Sequence, residues 1–423
     1  MSQFHSDRQY DLVLWGATGV VGTLVAEHLT NHYSPDELTF ALGGRDESRL
    51  QSLESDLVAE HPEWESVPVV LGDATDPESL RAMTEKTHVI CTTVGPYAKY
   101  GTPLVEACIE TGTDYCDLTG EVTWVREMVD RYHDDAVEAG VRIVHSCGFD
   151  SIPADLGTKL LQSYAVEQYG VPCEFVRLYL EDGKGGVSGG TAASAVEMFR
   201  NAATDPIAQQ TLRNPYSLAP RGERSGPDPG GRPGPQRDAL RSEWTAPSPM
   251  AVVNERVIRR SNALLGYPWG REFECAERVP TGKGPIGAAF ASAISAGLAT
   301  ATATMWFEPT RALAGLVLPN PGEGPTREQI ENGYFSVRVL GRGTATDGPF
   351  VVECRIAADR DPGYGATAQM LGEAAMCLVR EEIDSPLTGG VLTPATGIGD
   401  PLAGRLRDVG LTVEVGEWDG STA

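Results

Sequence analysis

Residues 10–22 read YDLVLWGATGVVG and decide the fold of the first part of the chain. The apolar run Tyr10–Gly16 predicts a buried strand, and Gly19–His32 carries apolar residues at helical spacing. The glycines between them are spaced as in a loop that turns tightly and lets a phosphate approach the backbone. We therefore predict a nucleotide site here, with a purely structural turn as the alternative. The predicted contact residues are Gly16, Ala17, Thr18, Gly19, Val20, Val21 and Gly22.

Strand-like and helix-like segments continue to alternate as far as residue 150. The sequence predicts strands at 38–45, 67–73, 87–95, 115–118 and 141–146, separated by helices at 48–60, 77–85, 102–111 and 122–139. This rhythm is typical of βαβ units, whose strands form a buried parallel sheet. The fold class predicted for this part of the chain is therefore α/β with a Rossmann-like parallel sheet.

The rest of the chain is less regular. Residues 205–250 are rich in Pro, Gly, Ser and Arg, which predicts a long loop or a partly disordered insert. The segments 334–342 and 350–358 predict an antiparallel hairpin that turns near Asp347-Gly348, and a helix is predicted over 367–382.

The end of the second predicted strand, Gly43-Gly44-Arg45-Asp46, indicates which nucleotide binds. NAD sites usually place a carboxylate here, where it holds the ribose 2′-hydroxyl. Arg45 stands at this point instead, and a guanidinium can bind a 2′-phosphate through two parallel hydrogen bonds. The sequence therefore favours NADP(H), with Arg49 assisting. Asp46 argues against this unless it pairs with Arg49.

Two further strand ends are expected to border the nucleotide, because open α/β sheets bind ligands at the carboxyl ends of their strands. Asp73 follows the third strand. We predict that it either accepts a hydrogen bond from the adenine amino group or caps the helix that begins at Pro77. Val94, Gly95 and Pro96 follow the fourth strand and are predicted to pass beside the ribose and nicotinamide.

Longer motifs in the chain resemble the saccharopine dehydrogenase-like oxidoreductases, in the branch that includes the trans-acting enoyl reductases. The most specific motifs are TDYCDLTGE at 113–121 and GFDSIPADLG at 148–157. Others are VGPYAKYGTPLVEAC at 94–108, GGTAASAVEM at 189–198, DPGYGATAQMLGEAAMCL at 361–378 and GGVLTPATGIG at 389–399.

The resemblance spans most of the chain and implies its domain plan. It implies a Rossmann-like NADP-binding domain over 1–150 and a second α+β domain over 151–362 for substrate binding and dimerisation, inserted before a C-terminal return over 363–423. It also implies pyridine-nucleotide redox chemistry, but it does not identify the substrate.

The proton that accompanies hydride transfer must come from a side chain near the strand ends. Tyr97, after the fourth strand, is our first candidate, with an aromatic wall against the cofactor as its alternative role. Asp117 follows the fifth strand and Asp150 follows the sixth. Each is a catalytic candidate. Asp117, like Glu121, could instead hold a polar substrate group or cap the next helix, and turn formation or capping would also explain Asp150. His145 is either a further candidate or a satisfied core residue.

Metal-binding and disulfide patterns are missing from the sequence. It contains no HExxH motif, and none of the eight cysteines forms a CxxC pair, so we predict no metal site. Most of the cysteines lie in apolar runs, and residues 1–10 lack an apolar signal core. A reducing, cytoplasmic location is therefore expected.

The formal net charge is −25, from 59 acidic and 34 basic residues. A surface this acidic argues against nucleic-acid binding, which needs a cationic face. With only five lysines, the composition favours a halophilic source with an acidic proteome over an ordinary acidic enzyme. Residues 205–271 are the exception, with 10 arginines and 6 acids. This basic island is expected to face a phosphate, an anionic substrate or a partner, or to be a solvated loop.

Residues 286–307 are uncharged over 22 positions but consist mostly of Ala, Gly, Ser and Thr. Their length would permit a membrane span, yet this composition gives little transfer free energy. We therefore expect a buried helix or a hydrophobic segment that faces the substrate. A peripheral membrane contact stays open.

The function predicted from these features is that of an NADP-dependent oxidoreductase. It is expected to reduce a C=C, C=N or C=O bond in an apolar or lipid-linked small-molecule substrate. One alternative is a saccharopine-type amino-acid dehydrogenase, which would need carboxylate-binding arginines such as those at 213–271. Another is a non-catalytic NADP-binding sensor or scaffold. A homodimer is expected from the family alone.

Overall fold

A computed structural model describes residues 8–185, 189–230, 233–314 and 325–420, with side chains withheld at 189–193 and 312–314. The first part alternates strands and helices as predicted. In chain order its elements are β1 (Tyr10–Trp15), α1 (Val20–His32), β2 (Phe40–Gly44), α2 (Glu47–Glu60), β3 (Val69–Leu71), α3 (Pro77–Thr84), β4 (Thr87–Thr92), α4 (Tyr97–Tyr100), α5 (Thr102–Thr111), β5 (Asp114–Asp117), α6 (Val122–Ala139), β6 (Arg142–Val144) and α7 (Ile152–Tyr169).

The middle part contains the long hairpin and two long helices. Its elements are β7 (Phe175–Lys184), α8 (Gly189–Thr204), α9 (Pro206–Arg213), β8 (Gln236–Arg237), β9 (Trp244–Pro247), α10 (Ala251–Leu264), β10 (Glu274–Gly282), α11 (Gly284–Trp306), α12 (Glu308–Ala314), α13 (Arg327–Glu331), β11 (Tyr334–Ala345) and β12 (Gly348–Ala358). The C-terminal part adds α14 (Thr367–Val379), β13 (Gly390–Leu392), α15 (Pro394–Gly397), α16 (Pro401–Asp408) and β14 (Thr412–Glu417).

The first sheet has seven parallel strands in the order β13-β6-β5-β4-β1-β2-β3. Its central strands are buried on both faces; Leu12, Val13 and Leu14 of β1, for example, have no exposed surface. Such continuous apolar strands are what a parallel sheet covered by helices requires. The predicted Rossmann-like fold is therefore confirmed.

The second sheet also has seven strands, in the order β14-β12-β11-β7-β10-β9-β8. Within it, β7 and β10 are parallel and the other neighbours are antiparallel. The hairpin β11–β12 forms as predicted. One face of this sheet packs on α7, where Gly157 lies beside Val339 and Ile356.

The C-terminal segment reaches both sheets. Helix α14 packs on α1, and β13 pairs with β6 at the edge of the first sheet. The last strand then pairs with β12, with Val413 opposite Ile356. Within the segment 363–423, α14 and β13 thus lie on the nucleotide domain, as expected, whereas β14 completes the second sheet.

Part of the basic island at 205–271 is internal, although arginines such as Arg221 and Arg271 are exposed. Arg256 donates to Leu212 O at 2.7 Å, Arg260 donates to Leu218 O at 2.5 Å and to Val391 O, and Arg259 pairs with Asp228 at 2.5 Å. These three α10 side chains are buried. They fasten the described part of the 205–250 insert to the protein, because buried carbonyls need donors. Insert and island therefore have a structural role that the sequence did not indicate.

Helix α11 is not the buried helix that its composition suggested. Only Gly287 and Ala291 are buried along its 23 residues. Among the described residues it is the one helix long and apolar enough to cross a membrane, judged by length and composition alone. Core helices and signal sequences can meet the same criterion, so it is weak evidence of a span.

Candidate active site

The loop after β1 is shaped by its glycines. Gly16 has φ +88°, and a Cβ there would lie 2.7 Å from Val94 Cγ2. A Cβ at Gly22 would lie 2.2 Å from Gly16 O, so Gly22 permits the close packing of α1 on the loop. No side chain caps the start of α1. Its first amides therefore remain suited to an anion such as a pyrophosphate.

A cleft of about 1460 Å³ opens above this loop. Gly16, Thr18, Gly19 and Val20 line it, whereas Ala17 and Gly22 are buried behind it and Val21 packs against the core. The predicted strand-end residues Asp73, Val94, Gly95 and Pro96 line the same cleft. The structure thus brings most of the predicted nucleotide contacts to one surface.

Arg45 lies at one end of the cleft with an exposed side chain and also lines a neighbouring surface hollow. Asp46 does not pair with the Arg49 guanidinium: its Oδ1 caps α2 by accepting from Arg49 N at 3.2 Å and Ser48 Oγ at 2.8 Å. The Arg49 guanidinium donates to Thr18 O at 2.8 Å. Helix capping thus explains the Asp46 carboxylate, which had argued against NADP(H), and Arg45 remains available to bind a 2′-phosphate.

Asp73 folds back on its own loop. Its Oδ1 accepts from Thr75 N and Thr75 Oγ1, both at 2.8 Å, and these hydrogen bonds lower the pKa of the carboxyl. The cap of the helix that begins at Pro77 is Asp76, which accepts from Glu78 N. The helix-capping alternative for Asp73 is therefore wrong, while its predicted contact with adenine stays a prediction.

The second domain covers the cleft from above. Val196, Glu197 and Arg200 of α8 line it, as do Arg327 and Ile330 of α13. Helix α13 is tied to the nucleotide domain by an ion pair of 2.5 Å between Arg327 and Glu27 of α1. The site is therefore built by both domains, as expected for an enzyme that encloses cofactor and substrate together.

The residues present fit NADP(H). The glycines let the loop pack tightly where a Cβ would clash, α1 begins at the cleft lining without a side-chain cap, and the exposed Arg45 guanidinium matches a 2′-phosphate.

Tyr97 lies away from the cleft. Its side chain is buried, its hydroxyl donates to Thr92 O at 3.1 Å, and its ring stacks on Trp124. Burial raises its pKa well above the ordinary value. Our first candidate for the proton donor therefore needs correction, because in a single helical turn Tyr97 faces the core while Lys99 and Tyr100 line the cleft.

Asp117 is at the centre of a buried hydrogen-bond network. Its Oδ2 accepts from Tyr115 Oη at 2.8 Å and contacts His145 Nδ1 at 2.7 Å. Its Oδ1 accepts from Thr119 N and Ser146 N, both at 3.0 Å. A fully buried carboxylate with this many partners holds the loops after β5 and β6 together, and it does not cap the next helix, whose N-cap is Glu121.

Asp150 differs from the other two candidates. It is half-buried after β6, and no hydrogen-bond partner for its carboxyl occurs among the described residues. Desolvation raises its pKa to about 6. A Cβ at Gly120, in the loop after β5, would lie 3.9 Å from Asp150 Oδ2, so the carboxyl lies beside that loop at the strand ends, although Asp150 is not among the described residues that line the cleft.

Glu277 of β10 adds a second acidic group in this region. It is buried, and it accepts from Ser248 Oγ and Asn254 Nδ2, both at 2.7 Å. Desolvation raises its pKa to about 7, and the charge of Asp150 contributes in the same direction. Sequence reasoning missed Glu277 because it lies on the second sheet, where only tertiary packing brings it toward Asp150.

Glu121, the last residue of the TDYCDLTGE motif, links three elements. Its carboxylate accepts from Tyr97 N and Ala98 N at 2.8 Å and from Ser194 Oγ of α8 at 2.6 Å. It thereby positions both α4 and the helix over the cleft. Within the described residues, no group of three or more His, Cys, Asp or Glu side chains is arranged to hold a metal.

Comparisons with known proteins agree with this geometry. Residues 12–144 match the family model of the saccharopine dehydrogenase NADP-binding domain. A Mycobacterium tuberculosis protein provisionally named a trans-acting enoyl reductase is 39% identical over 424 residues, covering 96% of this chain and 97% of its own. A trans-acting enoyl reductase of Mycobacterium bovis is 36% identical over 420 residues, covering 96% and 98%.

A solved structure supports the fold independently. Saccharopine dehydrogenase (L-Glu forming) from Saccharomyces cerevisiae superposes with a TM-score of 0.53 at 14% identity, over 96% of this chain and 99% of that one. At this identity the likeness concerns the fold alone. The full-length relatives and the NADP-binding domain together show that the chain is an NADP-dependent oxidoreductase and belongs to the saccharopine dehydrogenase-like family, in the branch of the trans-acting enoyl reductases.

Proposed function

We propose that this oxidoreductase reduces the C=C bond of an enoyl group in an apolar or lipid-linked substrate. The names of the full-length relatives support the bond type. Bound NADPH would supply a hydride to the β-carbon while a proton is added to the α-carbon, so that the double bond becomes single and NADPH becomes NADP⁺. C=N and C=O bonds are the other acceptors to be tested.

The environment of the Asp150 carboxyl supports a role for this residue in proton delivery. Of the three candidate catalytic residues, Tyr97 and Asp117 are committed to buried hydrogen bonds. Asp150 alone has a carboxyl without a hydrogen-bond partner among the described residues. A pKa raised to about 6 suits a general acid, since an acid works best when its pKa lies near the working pH. We assign proton delivery to Asp150.

The arginines at 213–271 do not support the amino-acid dehydrogenase alternative. It needed arginines from 213–271 to bind a substrate carboxylate. None of the described arginines in that segment lines the cleft, and those of α10 bind carbonyls or buried carboxylates. The arginines at the cleft, other than Arg45 and Arg49, are Arg200 and Arg327.

Reduction can be tested by following NADPH absorbance with a trans-2-enoyl thioester, a 3-keto thioester and a cyclic imine as separate acceptors. We expect oxidation with the enoyl thioester and a saturated product by mass spectrometry. Asp150→Asn should lower kcat by about 100-fold or more, the usual contribution of a positioned acid. Asp56→Asn, an exposed carboxylate of α2, is the matched control and should leave kcat unchanged.

Other acceptor profiles would refute the proposal. Turnover with the imine alone would point to an amino-acid dehydrogenase. Tight NADPH binding without turnover of any acceptor would favour the sensor or scaffold. Normal turnover by Asp150→Asn would remove Asp150 from the mechanism while leaving the enoyl assignment intact.

The setting of the enzyme is also a proposal. We infer a cytoplasmic protein from a salt-rich source, supported by eight free, buried cysteines and by the net charge of −25. A homodimer is proposed from the family resemblance. Both can be checked directly, by cell fractionation and by light scattering of the purified chain.

A further inference from the structure

The face of α11 that points away from the protein is unusually apolar. Ile286, Phe290 and Ile294 are 72%, 60% and 38% exposed, and Phe307, just after the helix, is 62% exposed. The first three are spaced four residues apart, so they lie on one face of the helix. We call Ile286, Phe290 and Ile294 the apolar ridge.

The ridge is also free of charge. The chain carries 59 acidic residues in 423, yet no charged residue occurs from Gly284 to Phe307. A helix packed on a protein surface normally directs charged or strongly polar side chains outward. Here the other exposed positions between the ridge residues are Ala289, Ser292 and Ala293. This surface is therefore suited to an apolar neighbour.

The inner side of the helix is held by the protein and is unavailable for spanning a bilayer. Gly287 packs so closely that a Cβ would lie 2.1 Å from Gly282 O, and Thr281 Oγ1 donates to Gly287 O at 2.9 Å. Toward the other end, Trp306 makes an edge-to-face contact with Phe199 of α8. The helix therefore lies along the protein surface with only its outer face available.

The size of this face favours a lipid surface over a second copy of the chain. A helix of 23 residues is about 34 Å long and 10 Å wide, a footprint of roughly 340 Å². A stable protein interface buries about 800 Å² per partner. Membrane adsorption sets no such minimum area, because each apolar side chain that leaves water contributes separately.

The position of α11 beside the cleft gives the contact a use. Helix α8 lines the cleft with Val196 and Arg200 and packs on α11 through Phe199. The ridge and the cleft are thus connected through one helix. Docking by the ridge would place α11 at the lipid surface, and α8 would link it to the cleft.

We propose that the apolar ridge of α11 docks the protein on a bilayer with uncharged or zwitterionic headgroups. The net charge of −25 and the uncharged ridge select against anionic headgroups, since these would repel the protein. The inference does not depend on which bond the enzyme reduces.

The test is flotation of the full-length protein with phosphatidylcholine vesicles. We expect the wild type to float with them, and Phe290→Asp to lower the partition coefficient by about tenfold or more. The matched control is Ile207→Asp on α9, since Ile207 is an isolated side chain with 62% exposure; it should float like the wild type. NADPH binding by Phe290→Asp should stay unchanged, which shows that the variant is folded.

Vesicle charge provides the second arm. Adding phosphatidylglycerol should weaken binding at low salt, and about 0.5 M salt should restore it, because the Debye length falls well below 10 Å. Failure of the wild type to float, or equal flotation of Phe290→Asp, would overturn the proposal. A dimer that Phe290→Asp dissociates, without vesicle binding, would assign the ridge to a second copy instead.

Discussion

Replacing Asp150 by Asn should stabilise the protein while impairing catalysis. Desolvation raises the pKa of Asp150 from 3.8 to about 6, because its half-buried carboxyl has no hydrogen-bond partner among the described residues. Above pH 6 the native protein therefore carries a poorly hydrated negative charge on Asp150, whereas in the unfolded chain water surrounds this charge. Functional residues often cost stability in this way, so a gain on removal would mark Asp150 as one of them.

The magnitude follows from linkage. Each unit of pKa shift corresponds to about 1.4 kcal/mol, so a shift from 3.8 to about 6 costs up to about 3 kcal/mol at pH 8. The native pKa is the higher one, so the native state binds more protons and the cost falls as the pH drops from 6 to 4. At pH 5 it should be about half its value at pH 8. Asp150→Asn removes the titrating group and hence this pH dependence.

Urea unfolding of wild type and Asp150→Asn at pH 8, 6.5 and 5 measures the effect. We expect a stabilisation of about 1–3 kcal/mol at pH 8 that declines toward pH 5. The exposed Asp56→Asn variant should change stability by less than about 0.5 kcal/mol at every pH. A change in Asp150→Asn that is absent, destabilising or independent of pH would refute the reasoning, because it would mean that the carboxylate has a favourable partner.

Four other results are expected from the same structure. Arg45→Ala should raise the Kd for NADPH by about 10–30-fold, because the charged hydrogen bonds between the exposed guanidinium and the 2′-phosphate are lost. The Kd for NADH should change less than about twofold, and Arg81→Ala is the control in fluorescence titrations. Arg260→Ala should lower the free energy of unfolding, measured in urea, by about 2–4 kcal/mol, because buried carbonyls lose their donor, and should leave NADPH affinity unchanged. Weaker NADPH binding would restore a ligand role to the basic island. Gly16→Ala should weaken NADPH binding at least about tenfold, because φ is +88° and the new Cβ would meet Val94, whereas Gly140→Ala, also at positive φ but with no neighbour, should only affect stability. NADPH affinity should hold or rise as salt increases from about 0.1 to 1 M; a steep loss would contradict the proposed role of the acidic surface.

The sequence predicted the first domain well because its signals are local. Helices α5 and α6 begin and end at the predicted residues, and β1 with its glycine loop lies where the pattern placed it. In a buried parallel sheet each strand is a short apolar run, and each helix repeats its apolar residues at helical spacing. Neighbouring residues therefore suffice to identify both kinds of element. The same holds for the hairpin β11–β12, whose alternation is visible within each strand.

The sequence could not predict what depends on distant partners. Tyr97 and Tyr100 belong to the same short motif, and only contacts with distant residues, such as the stacking of Tyr97 on Trp124, distinguish the one in the core from the one at the cleft. The arginines of α10 suggested an anion site because composition cannot show that their donors bind the carbonyls of Leu212 and Leu218. A buried polar network is defined by contacts between segments, so its members cannot be recognised one segment at a time.

The distribution of charge explains how an acidic domain can hold a polyanionic cofactor. Residues 1–150 carry 27 acidic and 9 basic groups, but the described cleft is lined by five basic and three acidic side chains. Two of the five, Arg200 and Arg327, come from the second domain. The second domain therefore contributes positive charge as well as a cover. The acids elsewhere act over longer distances that salt screens, whereas contacts within the cleft are screened much less. Rising salt should accordingly remove repulsion before it weakens binding, so a cofactor site of this kind can work in a strongly acidic protein.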